Sequence, residues 1–185
     1  MKKALLIVLG LVVVFGLWAG SGYNRLVNTS EALPKAWSQV ETVLQRRYDL
    51  IPNLVSTVKG YAKHEKDLLT EVAALRSQWG AAKNRSEKVA AANGMESALS
   101  RLMVVVEQYP QLKANEGFIR LQDELAGTEN RISVERMRYN ETVNAYNLAV
   151  RGFPTNILAK IFGFEKSEDY FKSEKAAAQA PKVQF

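Results

Sequence analysis

The sequence has no cysteine and a single histidine, His64. Without cysteine there is no disulfide, no thiolate metal site, no cysteine nucleophile and no acylated lipoprotein cysteine. One histidine cannot supply the paired Glu-x-x-His units of a di-metal helix bundle, and the residue three before it is Tyr61 rather than Glu. The zinc motif His-Glu-x-x-His fails too, since Leu68 stands where the second histidine belongs. Lys59-Gly60 lacks the spacing of a P-loop, and no Gly-x-Ser-x-Gly elbow occurs. No metal, cofactor or catalytic group is therefore expected, and the chain reads as a non-enzyme. Strand signals are missing as well: there is no sustained alternation and no Asn-Gly hairpin between β-rich runs.

Charge of one sign is also weak. With Lys2 and Lys3 set aside, 23 of the 25 Lys and Arg remain against 19 Asp and Glu. That is a mixed helical surface without interleaved aromatics, so nucleic acid is not an expected partner.

What the chain does have is an uncharged N-terminus. Ala4 to Asn24 carries no ionisable acid or base and would span roughly 31 Å as a helix, close to the ~30 Å hydrocarbon core. Trp18 and Tyr23 stand where interfacial aromatics belong. A cleaved signal peptide would need Ala19 and Ser21 as its small residues, a weak match, so residues 1–22 are read as an uncleaved transmembrane anchor contacting the bilayer through 4–24. Lys2, Lys3 and the amino terminus against Arg25 and Lys35 lean towards a cytoplasmic N-terminus and an external main domain.

Beyond Tyr23 the apolar residues follow heptad steps, as in coiled coils. A first helix carries Leu26, Leu33, Trp37, Val40 and Leu44; Pro34 should kink it or move its start. Asp49 is placed as the N-cap of a second helix, with Pro52 in its first turn. One long helix kinked at Pro52 is the alternative. Ile51, Leu54, Val58, Tyr61, Leu68, Val72, Leu75 and Trp79 line that second stretch, with Glu65 among them. Gly80 to Gly94 reads as a polar connection. Asn93 and Glu96 are spaced as a capping box for a third helix through Met95, Leu99, Leu102, Val106 and Tyr109, which Pro110 stops. A fourth helix from near Asn115 to Gly152 has the stripe Phe118, Leu121, Leu125, Thr128, Ile132, Glu135, Tyr139, Val143, Tyr146 and Val150. The prediction is an all-α chain: an N-terminal transmembrane helix, then an antiparallel up-down four-helix bundle with long helices over 23–172. Ile157, Leu158, Ile161, Phe162 and Phe164 would return to the membrane end, as an interfacial contact or as a cover for the bundle. Residues 173–185 have the composition of a disordered tail.

Charges on the stripes need partners. Arg47 continues the Val40–Leu44 stripe, while Glu65 and Glu135 interrupt theirs. These groups, with Tyr139, are expected either in a polar layer inside the bundle or at its margin, snorkelling outward. Exposed stripe residues such as Trp37 and Trp79 would serve self-association.

A series of short motifs runs along the chain: Tyr23-Asn24-x-Leu26-Val27, Ala36-Trp37, the run Arg46-Arg47-Tyr48-Asp49-Leu50-Ile51-Pro52-Asn53-Leu54-Val55, Val58-Lys59-Gly60-Tyr61 and His64-Glu65. It continues in Glu107-x-Tyr109-Pro110-x-Leu112-Lys113, Phe118, Leu121, Glu129-Asn130-Arg131-Ile132, Tyr139-Asn140, Tyr146-Asn147 and Phe153-Pro154-x-Asn156, and reaches about Phe171. In these motifs the chain resembles the LemA family of bacterial membrane-anchored helical proteins. One departure is Ala74-Leu75-Arg76, where the family usually shows Ala-Arg. The resemblance implies a transmembrane helix, an antiparallel helical bundle and no established enzymatic activity, the family's molecular function being regarded as unknown. It also implies a short outside N-terminus with the domain inside, opposite to the charge count. Expected roles are a scaffold or adaptor of the cell envelope at the inner membrane, single-pass, with envelope proteins or further copies of itself as partners. The alternative is an envelope sensor that takes a small anionic ligand or peptide at an Arg46–Asp49 helix junction.

Overall fold

The computed structural model describes residues 1–62 and 64–171, so the expected tail lies outside the described residues. Among these residues six helices follow in order: α1 (Lys2–Tyr61), α2 (Lys66–Ala81), α3 (Arg85–Val106), α4 (Pro110–Lys113), α5 (Glu116–Arg151) and α6 (Thr155–Phe162). Among the described residues there is no strand. The chain divides into two compact units, one of Met1–Ser38 with Arg136–Phe185, the other Gln39–Glu135.

Of the two forms expected at Pro52, α1 takes the second, a single long helix. It is one helix of 60 residues, and both Pro34 and Pro52 lie inside it. Asp49 is therefore no N-cap, and Pro52 is not a first-turn residue. A proline within a helix lacks the N–H that would bond four residues back, at a cost of about 3 kcal/mol. Ile51 and Leu54 beside Pro52 are fully packed, so burial carries the helix across the gap. The break comes later, between Tyr61 and Lys66, with Ala62 buried and Tyr61 receiving a hydrogen bond from Asn115 Nδ2 (3.0 Å). Gly60 is the only local breaker nearby. Helix α2 buries the expected Val72 and Trp79, with Leu69 in place of Leu68.

The helix α3 starts ten residues ahead of the expected Met95. Its cap is Asn84, whose Oδ1 accepts from Glu87 N (2.9 Å), while a Glu87 carboxylate oxygen accepts from Lys83 N (2.7 Å). The capping box is thus Asn84 with Glu87, not Asn93 with Glu96. Asn93-Gly94 sits in mid-helix. A Cβ on Gly94 would lie 2.7 Å from Leu75 Cδ2, so the glycine serves the close approach of α2 and α3. Pro110 occupies the first turn of the short α4, α3 having ended at Val106.

The second unit buries Val40, Leu44, Ile51, Leu54 and Val58 of α1, Val72 and Trp79 of α2, Met95 and Leu102 of α3, Leu112 of α4, and Phe118 and Ile132 of α5. Asn115 caps α5 by accepting from Phe118 N (3.0 Å). The first unit has its own core, in which Leu26 packs with Tyr146, Ala149, Val150, Leu158 and Ala159. Thr155 donates to the Ala149 carbonyl (2.6 Å) at the turn from α5 to α6, and Gly163, in the left-handed region (φ 75°), closes α6.

Two helices among the described residues, α1 and α3, contain windows long and apolar enough to cross a membrane. They differ in packing. Ala91, Ala92, Met95, Ala98, Leu99, Leu102 and Val106 of α3 are buried, whereas Leu5, Leu11 and Leu17 of α1 are 70%, 65% and 72% exposed.

Candidate functional site

The conspicuous motif lies on α1, and its side chains fan out into three environments. Arg47 is buried, only 2% exposed, and ion-paired with Glu129 of α5. The Glu129 side chain is 44% exposed, so the pair joins a dry guanidinium to a half-solvated carboxylate. Arg47 and Glu129 line a cavity of about 390 Å³ with Glu96, Met103 and Gln122.

Tyr48 is also buried, and its ring stacks on Trp79 of α2 (4.7 Å, 16°). Trp79 Nε1 donates to Gln45 Oε1 (3.2 Å), and Gln45 Nε2 donates to Asp49 Oδ1 (2.8 Å). Lys88 of α3 lies over the Trp79 ring at 5.3 Å and pairs with Glu41. Arg76 Nε donates to the main-chain carbonyl of Tyr48 (3.3 Å). Sequence reasoning missed Arg76; the available signal was Pro52 itself, which frees that carbonyl.

The third environment is the turn from α1 to α2. A cavity of about 780 Å³ opens there, lined by Lys59, His64 and Lys66 with Val55, Leu69 and Thr70. Among the described residues that line it, Lys59, His64 and Lys66 are the ionisable ones. Glu65, half-buried, instead accepts from Tyr109 Oη (3.1 Å). Desolvation of the phenol, and then the Glu65 carboxylate, raise Tyr109 above the ordinary tyrosine range.

Several motif residues lie at the surface. Arg46, Asp49, Pro52, Asn53, Asn130 and Arg131 are exposed. There is no helix junction at Arg46–Asp49, because α1 is continuous and Arg47 faces Glu129. Arg47 pairs with Glu129, Glu65 accepts from Tyr109, and Tyr139 packs against Trp37 and Phe171. Trp37 and Trp79, expected as exposed contacts for self-association, are buried at 8% and 4% exposure. Among the described residues no three His, Asp or Glu gather as a metal site.

In the first unit the Tyr-Asn pairs of α5 recur at seven-residue spacing and hold the chain that follows α6. Tyr139 packs edge-on to Trp37 (5.7 Å) and Phe171 (5.6 Å). Asn140 donates to Phe171 O and accepts from Phe171 N, both at 2.9 Å. Asn147 repeats the arrangement with Ser167, both bonds at 2.8 Å. Each amide thus pairs with a main-chain N–H and C=O, as a neighbouring strand would. Tyr146 Oη donates to Glu165 O (2.8 Å), and burial followed by the Glu165 charge raises its titration.

The chain is similar to several known proteins. The chain is 32% identical to magnetosome protein MamQ 2 of Paramagnetospirillum magneticum, over 86% of this chain and 67% of the relative. It is 29% identical to magnetosome protein MamQ of Magnetospirillum gryphiswaldense over the same shares. Protein LemA of Metamycoplasma hominis is 23% identical over 74% of this chain and 63% of its own length. Residues 36–185, which include the Arg46–Leu54 run, His64-Glu65 and both Tyr-Asn pairs, match the profile of the LemA family, and the chain belongs to that family.

Proposed function

We propose that the chain is a membrane-tethered, non-enzymatic helical scaffold or adaptor of the cell envelope. The observation that carries this reading is α1. Its first part exposes an uninterrupted apolar surface from Leu5 to Leu17, and the same helix continues into packed protein through Leu26, Val40 and Leu44. An exposed apolar face of that length suits lipid. The name magnetosome protein, carried by two relatives, supports attachment to a cellular structure. In this reading the long helices form an antiparallel up-down bundle on the outer side of the inner membrane, in keeping with Lys2 and Lys3 ahead of the span. Its partners are envelope proteins or further copies of the chain, and nucleic acid is not among them.

The test uses the whole chain in membranes. It should stay with the membrane after alkaline extraction, and cross-linking in place should join it to an envelope protein or to itself. Recovery in the soluble fraction would remove the tether; isolated monomers alone would remove the scaffold. A cysteine introduced at Arg46, labelled only by an impermeant maleimide from outside, checks the side.

A second reading rests on the basic cavity at the α1–α2 turn. Lys59, His64 and Lys66 suit a small anion, at a different place from the Arg46–Asp49 junction first considered. Because His64 is the only histidine, its imidazole resonances report the cavity directly. Inorganic phosphate should shift them in the native chain and not in Lys59→Ala/Lys66→Ala; unchanged resonances would sink this reading.

A further inference from the structure

Helix α6 has more apolar surface than the core takes up. It is more strongly amphipathic than α1, α2, α3 or α5. Thr155, Leu158 and Ala159 face the core and are buried. Ile157, Ile161 and Phe162 are 48%, 68% and 55% exposed, and Phe153 just before the helix is 85% exposed. Ile157 and Ile161 stand four residues apart, which places them along one side of α6, and Phe153 stands at the turn that leads into it. Covering the core is the work of Leu158 and Ala159, and this stripe has no part in it.

Its location suggests the partner. Leu158 packs on Gly22 of α1, so closely that a Cβ there would fall 2.6 Å from Leu158 Cδ1. The Phe162 ring lies 4.7 Å from the Tyr23 ring, and Phe164 lies 6.2 Å from it. Trp18 and Ala19 pack against the same core as Leu158 and Ala159, so protein begins to cover α1 directly after the exposed Leu17. From Trp18 to Tyr23 the helix rises only about 7.5 Å. That distance falls within the ~5–10 Å over which amphipathic helices sit at the headgroup boundary. Exposed Arg151 and Lys160 flank the stripe as cations suited to anionic headgroups.

We infer that α6, together with Phe153, is an interfacial membrane element, its apolar stripe lying in the headgroup region of the leaflet through which α1 leaves the bilayer. This rests on the reading of α1 as a membrane anchor. The chain would then hold the bilayer at two points, one spanning and one lateral, and so set the orientation of the first unit against the surface.

Since the chain has no cysteine, single labels can be placed cleanly. The full chain carrying Ile161→Cys or Leu11→Cys, each with an environment-sensitive fluorophore, would be reconstituted in phosphatidylcholine–phosphatidylglycerol vesicles. Quenching by lipids spin-labelled near the headgroup or deep in the acyl chain would then be compared. The expected result is a blue-shifted Ile161 label quenched best by the shallow lipid, with the Leu11 label quenched best by the deep one. Deep quenching at Leu11 with a water-like, unquenched Ile161 label would overturn the inference and leave the anchor standing. A blue-shifted but unquenched Ile161 label would mean that protein, such as a second copy, covers the stripe, and would also overturn it. Lack of quenching at both sites would overturn the anchor reading and the inference together.

Discussion

Arg76 of α2 donates its Nε–H to the carbonyl of Tyr48, the carbonyl that Pro52 leaves without a helical donor. A buried carbonyl without a partner is costly, and here a side chain from another helix supplies what the backbone lacks. Arg76→Ala should therefore destabilise the protein by about 1–2 kcal/mol. In a Pro52→Ala background the restored N–H satisfies Tyr48, and the same change should cost about 1 kcal/mol less. Thermal denaturation followed by circular dichroism on the four chains measures the coupling; full additivity would show that Arg76 does not compensate for Pro52.

The Arg47–Glu129 pair is asymmetric in its solvation, and its variants should be as well. Glu129→Ala takes the carboxylate from a guanidinium that is 3% exposed, and should cost about 3 kcal/mol. Arg47→Met leaves behind only a half-exposed carboxylate and refills the space with an apolar chain of similar length. It should be close to neutral. Equal losses in the two unfolding curves would contradict this account.

Tyr109 and Glu65 give a pH signature. The phenol titrates above its ordinary value of 10.0 because of desolvation first and Glu65 second. A raised folded-state pKa means that the contribution is fully present below about pH 10 and is lost as pH climbs through the folded value. In ultraviolet difference titration, the step that Tyr109→Phe removes should lie above that of a free tyrosine. Glu65→Gln should bring it down without abolishing the shift, since the desolvation persists. No movement on Glu65→Gln would mean that the hydrogen bond at 3.1 Å does not act on the phenol.

The two asparagine clamps are separate local devices. In hydrogen exchange, Asn147→Ala should speed exchange at the Ser167 amide and leave Phe171 protected, because Asn140 still holds it. Asn140→Ala should do the reverse. Loss of both protections from either single change would show that the segment releases as one piece.

Much of the core was legible in the sequence because burial follows helical spacing. The stripe on α5 is the clearest case: Phe118, Leu125, Thr128, Ile132, Tyr139, Val143, Tyr146 and Val150 are all buried. On α2 the expected Val72 and Trp79 are buried, and only Leu68 gives way to its neighbour Leu69, since nothing in local propensity marks the end of α1 at Tyr61 apart from Gly60. The α3 start was missed because Ala90, Ala91 and Ala92 look like a polar connection's filler, although Ala91 and Ala92 lie in the core. At the site, burial of Arg47 was one of the two placements its stripe position allowed, whereas Glu129, eighty-two positions away, could be paired with it only in three dimensions.

The sequence by itself determined an all-helical chain with an uncharged apolar segment at its N-terminus. Both are matters of local chemistry, set by the period of the apolar residues and the absence of charge over a bilayer's width. Tertiary structure alone decided that Pro52 lies within a helix, since Arg76 had to reach Tyr48 for that to be tolerable. It also decided which charges are partnered and that α6 lies against Gly22 and Tyr23. Those outcomes depend on side chains distant in sequence meeting at a few ångströms, a distance that periodicity does not encode.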